Sequence, residues 1–158
     1  MRNEKASGVL LLAGALSFIL VMMHHPTGHA MLSGDFGRMA RLNVFIHSLA
    51  IAAIPIMFLG LLGLTRRLGS TDLAMAALVL FGFGGVAVMS SAVASGFVAT
   101  GIMEKMLAAG EGSREVYEVL LDYSHYVNQG YTSVYVVASS AAILLWSAAI
   151  LKGRAMSR

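Results

Sequence analysis

The run GVLLLAGALSFILVMMHHP, residues 8–26, decides the architecture. Sixteen residues without a charge end in two adjacent histidines and a proline. The apolar positions follow neither a helical nor an alternating pattern. A helix that is apolar all round sits in a protein core or in lipid. With His24 and His25 the run nears the length that about 30 Å of hydrocarbon requires. Pro26 cannot continue the helix and turns His25 away from helical geometry.

Three more such blocks follow, giving expected spans of about 8–25, 42–64, 72–103 and 128–151. Of the 158 residues, 58% are hydrophobic and 12% are charged, with a mean hydropathy of +0.77. Soluble domains carry about 25% charged residues. Four apolar blocks in so short a chain leave too little polar surface for a soluble shell. The expectation is an all-α integral membrane protein: one domain, a four-helix up-down-up-down bundle. A basic start, an apolar middle and the small-x-small triplet Gly28-His29-Ala30 also fit a cleaved signal peptide, which is the rival reading of the first block.

The net charge is +3. Its basic residues stand at the ends of the apolar blocks, where they orient helices, so a nucleic-acid partner is set aside. The expected partners are the lipid bilayer and either other membrane subunits or further copies of the chain. Seven lysines and arginines fall on one side of the expected spans: Arg2, Lys5, Arg66, Arg67, Lys152, Arg154 and Arg158. The remaining four, Arg38, Arg41, Lys105 and Arg114, fall on the other. Cationic loops stay inside. Both termini are therefore expected in the cytoplasm and the histidine-bearing loops outside, as in a multi-pass protein of the cell inner membrane.

Between the blocks, residues 27–40 form a glycine-rich loop. Helix 2 is expected from Arg41 or Leu42 to Leu64, with Pro55 kinking it. Thr65 to Ser70 reads as a tight basic turn. Ser70 or Thr71 caps the third helix, with Asp72 in its first turn. That helix should reach about Leu107. Ser113 should cap one long last helix, bent at Gly130, that begins amphipathic and turns apolar after Gln129. Helices 3 and 4 are too long for the bilayer and should extend on the outer side.

Depth can be counted from the basic ends at about 1.5 Å per residue. His24 then lies roughly 29 Å from Lys5, His47 roughly 27 Å from Thr65, and His125 roughly 40 Å from Lys152. His24 or His25 thus shares a level with His47, and His125 sits about two turns higher. A polar ring inside an apolar span is costly unless partnered and is a functional hypothesis by default. Two imidazoles from different helices at one depth suit the axial pair of haem b or part of a metal site. The small residues Ala87, Ser91, Ser95 and Ala99, with Ala92, Gly96 and Thr100 beside them, either leave room for a flat ring or pack helices closely.

The candidate ligands are His24, His25, His47 and His125, with Glu104 as a carboxylate. His29 lies on the loop and could fold over either level. Asp35 and Asp122 are further candidates to orient an imidazole. The chain has no cysteine, which excludes disulfides, thiolate sites and c-type haem. The donor set suits copper, zinc or iron, or haem iron. The tyrosines 123, 126, 131 and 135 read as an aromatic belt, and Met22, Met23, Met31 and Met39 are outer-side thioethers available to copper(I).

No phosphate-binding loop, zinc-protease helix or nucleophile elbow is present, and no charge ladder crosses the spans. Three functions follow. The first is a cofactor-binding protein for electron transfer or metal handling. The second is an accessory subunit that docks partners through the small-residue face. An enzyme acting on lipid or quinone ranks last, since no nucleophile or carboxylate pair is well placed. The layout is similar to that of small membrane b-type cytochromes, an analogy of architecture only.

Overall fold

The computed structural model describes residues 2–26 and 35–156. They form helices α1 (Arg2–Met23), α2 (Phe36–Arg67), α3 (Asp72–Val93), α4 (Ala99–Ala108) and α5 (Glu111–Met156). A π-helical turn, Ala94–Val98, joins α3 to α4 into one continuous rod. Four segments are long and apolar enough to cross a membrane: Lys5–Met23, Phe36–Arg67, Asp72–Ala108 and Glu111–Gly153. The protein is an all-helical, four-span membrane bundle.

Contact pairs fix how the helices run. Against α2, Leu11 meets Gly60 while Gly14 meets Met57. Between α2 and α3, Phe58 meets Gly82, Ile54 meets Gly85, and His47 meets Gly96. Between α3 and α5, Phe81 meets Trp146 and Gly84 meets Ala138. In each pair one number rises as the other falls, so successive spans are antiparallel. The α1–α2 seam needs its glycines. A Cβ on Gly60 would lie 2.6 Å from the Leu11 backbone nitrogen. Small residues let membrane helices approach until dispersion forces hold them.

The ends of the bundle differ in chemistry. At the Arg66–Arg67 end, Leu61, Ala74, Ala77, Leu78, Phe81, Ala142, Trp146 and Ala149 form an apolar core. The Trp146 indole N–H donates to the Thr65 hydroxyl at 3.1 Å. At the other end the interior is polar, with Asn43, His47, Ser91, Thr100 and Ser124 all buried.

Several boundaries differ from expectation. α2 starts at Phe36, a turn and a half before Arg41, because Asp35 caps it by accepting from the Arg38 backbone N–H at 3.2 Å. α5 begins at Glu111, ahead of the expected Ser113, and is one long helix as expected; α2 is continuous through Pro55. The α2–α3 turn is tight, with positive φ at Gly69 and Ser70, and the Thr71 hydroxyl caps α3 by accepting from Ala74 N–H. At about 1.5 Å per residue α5 is roughly 69 Å long and the α3–α4 rod roughly 55 Å. Both exceed about 30 Å of hydrocarbon. Trp146 stands level with Thr65, so α5 overhangs that level at the basic end as far as Met156, and most of the excess of α5 and of the rod emerges at the histidine end. α2, roughly 48 Å long, emerges there too.

Candidate functional site

His47 is the centre of the polar end. It lies three turns into α2 and is 4% exposed. Its Nδ1 is 2.8 Å from the Asn43 carbonyl oxygen, one turn back on the same helix. A carbonyl only accepts, so Nδ1 carries a proton and the neutral ring keeps its lone pair on Nε2. That nitrogen points away from α2 toward two groups. Ser95 Oγ is 3.0 Å away, and His25 Nε2, at the end of α1, is 3.2 Å away. The two imidazoles meet edge to face, with ring centres 4.8 Å apart.

The π-helical turn explains why Ser95 and Gly96 can face His47 while Thr100 still faces Asn43. In an α-helix, residues five apart diverge by about 140°. The wider turn from Ala94 O to Ala99 N–H brings them into line. The Asn43 amide then donates both to the Ser95 carbonyl, at 3.2 Å, and to the Thr100 hydroxyl, at 2.9 Å. Thr100 in turn donates to the Gly96 carbonyl. Gly96 itself is required by space, because a Cβ there would overlap the Cβ and Cγ of His47. π-turns inside α-helices occur often at functional sites.

The network continues into α5. The Ser95 hydroxyl is 3.0 Å from the Ser91 carbonyl. Ser91 Oγ contacts the Asn128 side chain and the Thr132 hydroxyl, and the Ser124 hydroxyl donates to the Ala94 carbonyl. Within the described residues no buried side-chain nitrogen or oxygen lacks a partner. Lipid offers no hydrogen bonds, so polar groups at this depth must satisfy one another.

Of the candidate ligands, the structure brings together His25 and His47. His24 turns back on α1, with its Nδ1 2.9 Å from the Leu20 carbonyl oxygen. It lines an apolar groove of about 520 Å³ between α1 and α2, beside Phe45 and Leu49. His125 is exposed on α5 and packs its ring on Tyr126. Glu104 is exposed on α4, and Asp122 on α5. Asp35 serves as the α2 cap, and His29 and Met31 lie outside the described residues. Among the described residues no three histidine, aspartate or glutamate side chains gather tightly enough to share an ion. The orienting role considered for a carboxylate is taken by the Asn43 carbonyl.

The level of His125 also differs from the count. Trp146, not Lys152, stands opposite Thr65. Measured from that pair, His125 is about three residues beyond the His47 level, less than one turn. The two-turn offset came from counting the six residues by which α5 runs past Thr65. His125 is thus near in depth but set apart by the direction it faces.

Sequence reasoning missed Asn43, Asn128 and Thr132. The signal was present for Asn43, an amide inside an apolar span and four residues before His47, hence on the same helix face.

The Nε2 separation tests which guest fits. Two imidazoles at about 2.0–2.1 Å from one tetrahedral ion hold their nitrogens about 3.3 Å apart; two lying trans across an iron hold them about 4 Å apart. The observed 3.2 Å matches the first arrangement. The slot that small residues would have left for a porphyrin is filled, since Gly96 is packed by His47 itself. At 3.2 Å the two nitrogens lie within hydrogen-bonding distance of each other, a separation that is also close to that of adjacent ligands on one ion and shorter than that of an axial haem pair. The chain matches no protein-family model, no curated protein and no solved structure.

Proposed function

We propose that this protein is a metal-handling component of the cell inner membrane that seats one transition-metal ion between His25 and His47 at its outer end. The separation of the two Nε2 atoms carries the reading. Their 3.2 Å suits adjacent ligands on copper(II), zinc or iron. The hydrogen bond from His47 Nδ1–H to a backbone carbonyl supports it, because metal-binding histidines commonly fix their second nitrogen in this way. His25 is exposed and His47 is buried, so an ion arriving from outside meets His25 first. Two imidazoles alone make an open site with positions left for water or for a partner's ligand, which suits transfer better than storage. Both termini are taken to be cytoplasmic, in line with the excess of lysine and arginine at that end.

The test is a metal assay on protein purified without a histidine tag. The expected result is one equivalent of bound copper, zinc or iron, lost in both His47→Ala and His25→Ala. Absence of stoichiometric metal after loading would overturn the reading, and a Soret band would replace the ion with haem b.

A second reading is favoured by the pairing of every buried polar side-chain atom among the described residues, which is also how a purely structural clasp would look. The protein would then be an accessory subunit of a larger membrane complex. The small-residue face expected to dock a partner is taken up inside the bundle, with Ala87, Ser91, Ala92 and Thr100 buried, so docking would fall to the exposed outer stretch of α5. In that case His47→Ala keeps the co-purifying partner, whereas Val116→Asp or Val119→Asp, on exposed positions of α5, loses it.

A further inference from the structure

At the end of the bundle opposite the histidines, the α2–α3 turn and the last turns of α5 line a half-open cavity of about 840 Å³. Its walls divide by chemistry. Leu68, Leu73 and Ile150 make an apolar side, while Arg67, Lys152 and Asp72 carry charge. Leu73 directly follows Asp72, and Ile150 stands two residues before Lys152, so the cavity lies where the apolar spans give way to charge, the expected boundary between hydrocarbon and headgroups. A soluble anion would need only the cations, and an acyl chain only the apolar wall. One molecule that uses both is a glycerophospholipid. Arg67 and Lys152 against Asp72 leave a surplus of one positive charge, the complement of a single phosphodiester. Basic pockets at the membrane surface between helices bind anionic headgroups.

We propose that this cavity is a binding site for an anionic glycerophospholipid. Its phosphodiester is held by Arg67 and Lys152, and one acyl chain lies along Leu73 and Ile150. Arg67 has a further interaction within the protein, so Lys152 is the cation on which the first variant acts. Asp72 limits the selectivity. It weakens the hold on any phosphate and offers its carboxylate to the quaternary amine of a zwitterionic lipid, so it narrows the preference for the anionic one.

The chain supplies its own reporter. Trp146 is the single tryptophan, and Ala149 and Ile150, on the cavity wall, lie one turn beyond it. The experiment reconstitutes the full chain in vesicles of phosphatidylcholine and measures quenching of Trp146 by brominated phosphatidylglycerol, then by brominated phosphatidylcholine. Preferential quenching by phosphatidylglycerol is expected. Replacing each cation should weaken that preference about fivefold, so Lys152→Gln lowers it and the double variant Arg67→Gln, Lys152→Gln removes it. Asp72→Asn should strengthen it, an effect that a damaged fold would not produce. Equal quenching by both lipids would overturn the proposal, as would a preference unchanged in the double variant. Relief of the quenching by inorganic phosphate at millimolar concentration would also overturn it, because the site would then be an ion site without a role for the acyl chain.

Discussion

The imidazole of His47 is held by contacts of very different kinds, and they predict different losses. His47→Ala leaves the Asn43 carbonyl and the Ser95 hydroxyl facing a cavity. Interhelical hydrogen bonds in membranes are worth about 0.6 kcal/mol on average and at most about 1.7, and the lost packing adds to that. A fall in stability of about 2 kcal/mol is expected, read as a lower unfolding midpoint in detergent. His25→Ala should cost under about 1 kcal/mol, since His25 is exposed and lies just past the end of α1. Both should lose the metal equally. Gly96→Ala is the sharper probe. It touches no ligand atom, yet its methyl group would overlap the His47 Cβ, which cannot swing aside as a side-chain tip can. Overpacking of this kind costs about 1–3 kcal/mol, and it should abolish metal binding while both histidines remain in the sequence. A Gly96→Ala protein with full metal occupancy would mean that His47 is not the ligand.

Among the elements, the π-helical turn is the one that the site depends on and the fold does not. It carries one residue more than the rod needs between the Ser91 level and the Thr100 level. Deleting Val98, which is exposed, should let the rod close into plain α-helix with both flanks kept in register. The expected protein remains helical by circular dichroism, keeps the Phe81–Trp146 core and keeps Ser95 and Thr100, now four residues apart, on one face; closing the ladder draws the Ser95 carbonyl back into the helix and away from the Asn43 amide, and metal binding falls. A deletion variant that fails to fold would instead assign the turn to the packing of the bundle. The α1–α2 seam behaves in the opposite way. Gly60→Leu drives a side chain into the Leu11 backbone. It should detach α1, carry His25 away from His47, and leave α2, α3 and α5 packed around Trp146. Limited proteolysis after α1, with unchanged Trp146 fluorescence, would report that outcome.

For the molecule as a whole, the proposed orientation makes a prediction that the absence of cysteine renders simple to read. A single Ser70→Cys, in the basic turn, should react with a membrane-impermeant thiol reagent only after the cells are opened. A single Tyr126→Cys, on the exposed face of α5, should react in intact cells. The reverse pattern would place the histidines in the cytoplasm and point the metal reading toward export. The two ends of the bundle also separate two jobs. The apolar core around Trp146, with the Thr65 hydroxyl capping its indole, supplies packing; the polar end supplies a preorganised nitrogen lone pair. Denaturation that starts at the polar end should therefore release metal before Trp146 is exposed.

By itself the sequence determined the four spans, their order and their excess length, because burial in lipid is written in composition and needs no partner to be read. It also put His25 or His24 at the depth of His47, since helical rise turns residue counts into heights. It did not distinguish His25 from His24. That choice depends on where α1 ends and which way each ring turns, and only the packed end of α1 against α2 settles it. Nor did it find the wide turn at residues 94–98, whose small residues read equally well as plain helix. Asn43 and His47 were spaced to share a face, but the Ser95 carbonyl and the Thr100 hydroxyl that receive the amide come from about fifty residues away. Height along a helix is a local property of the chain. The direction a side chain faces, and what meets it there, arises only when separate helices close on one another.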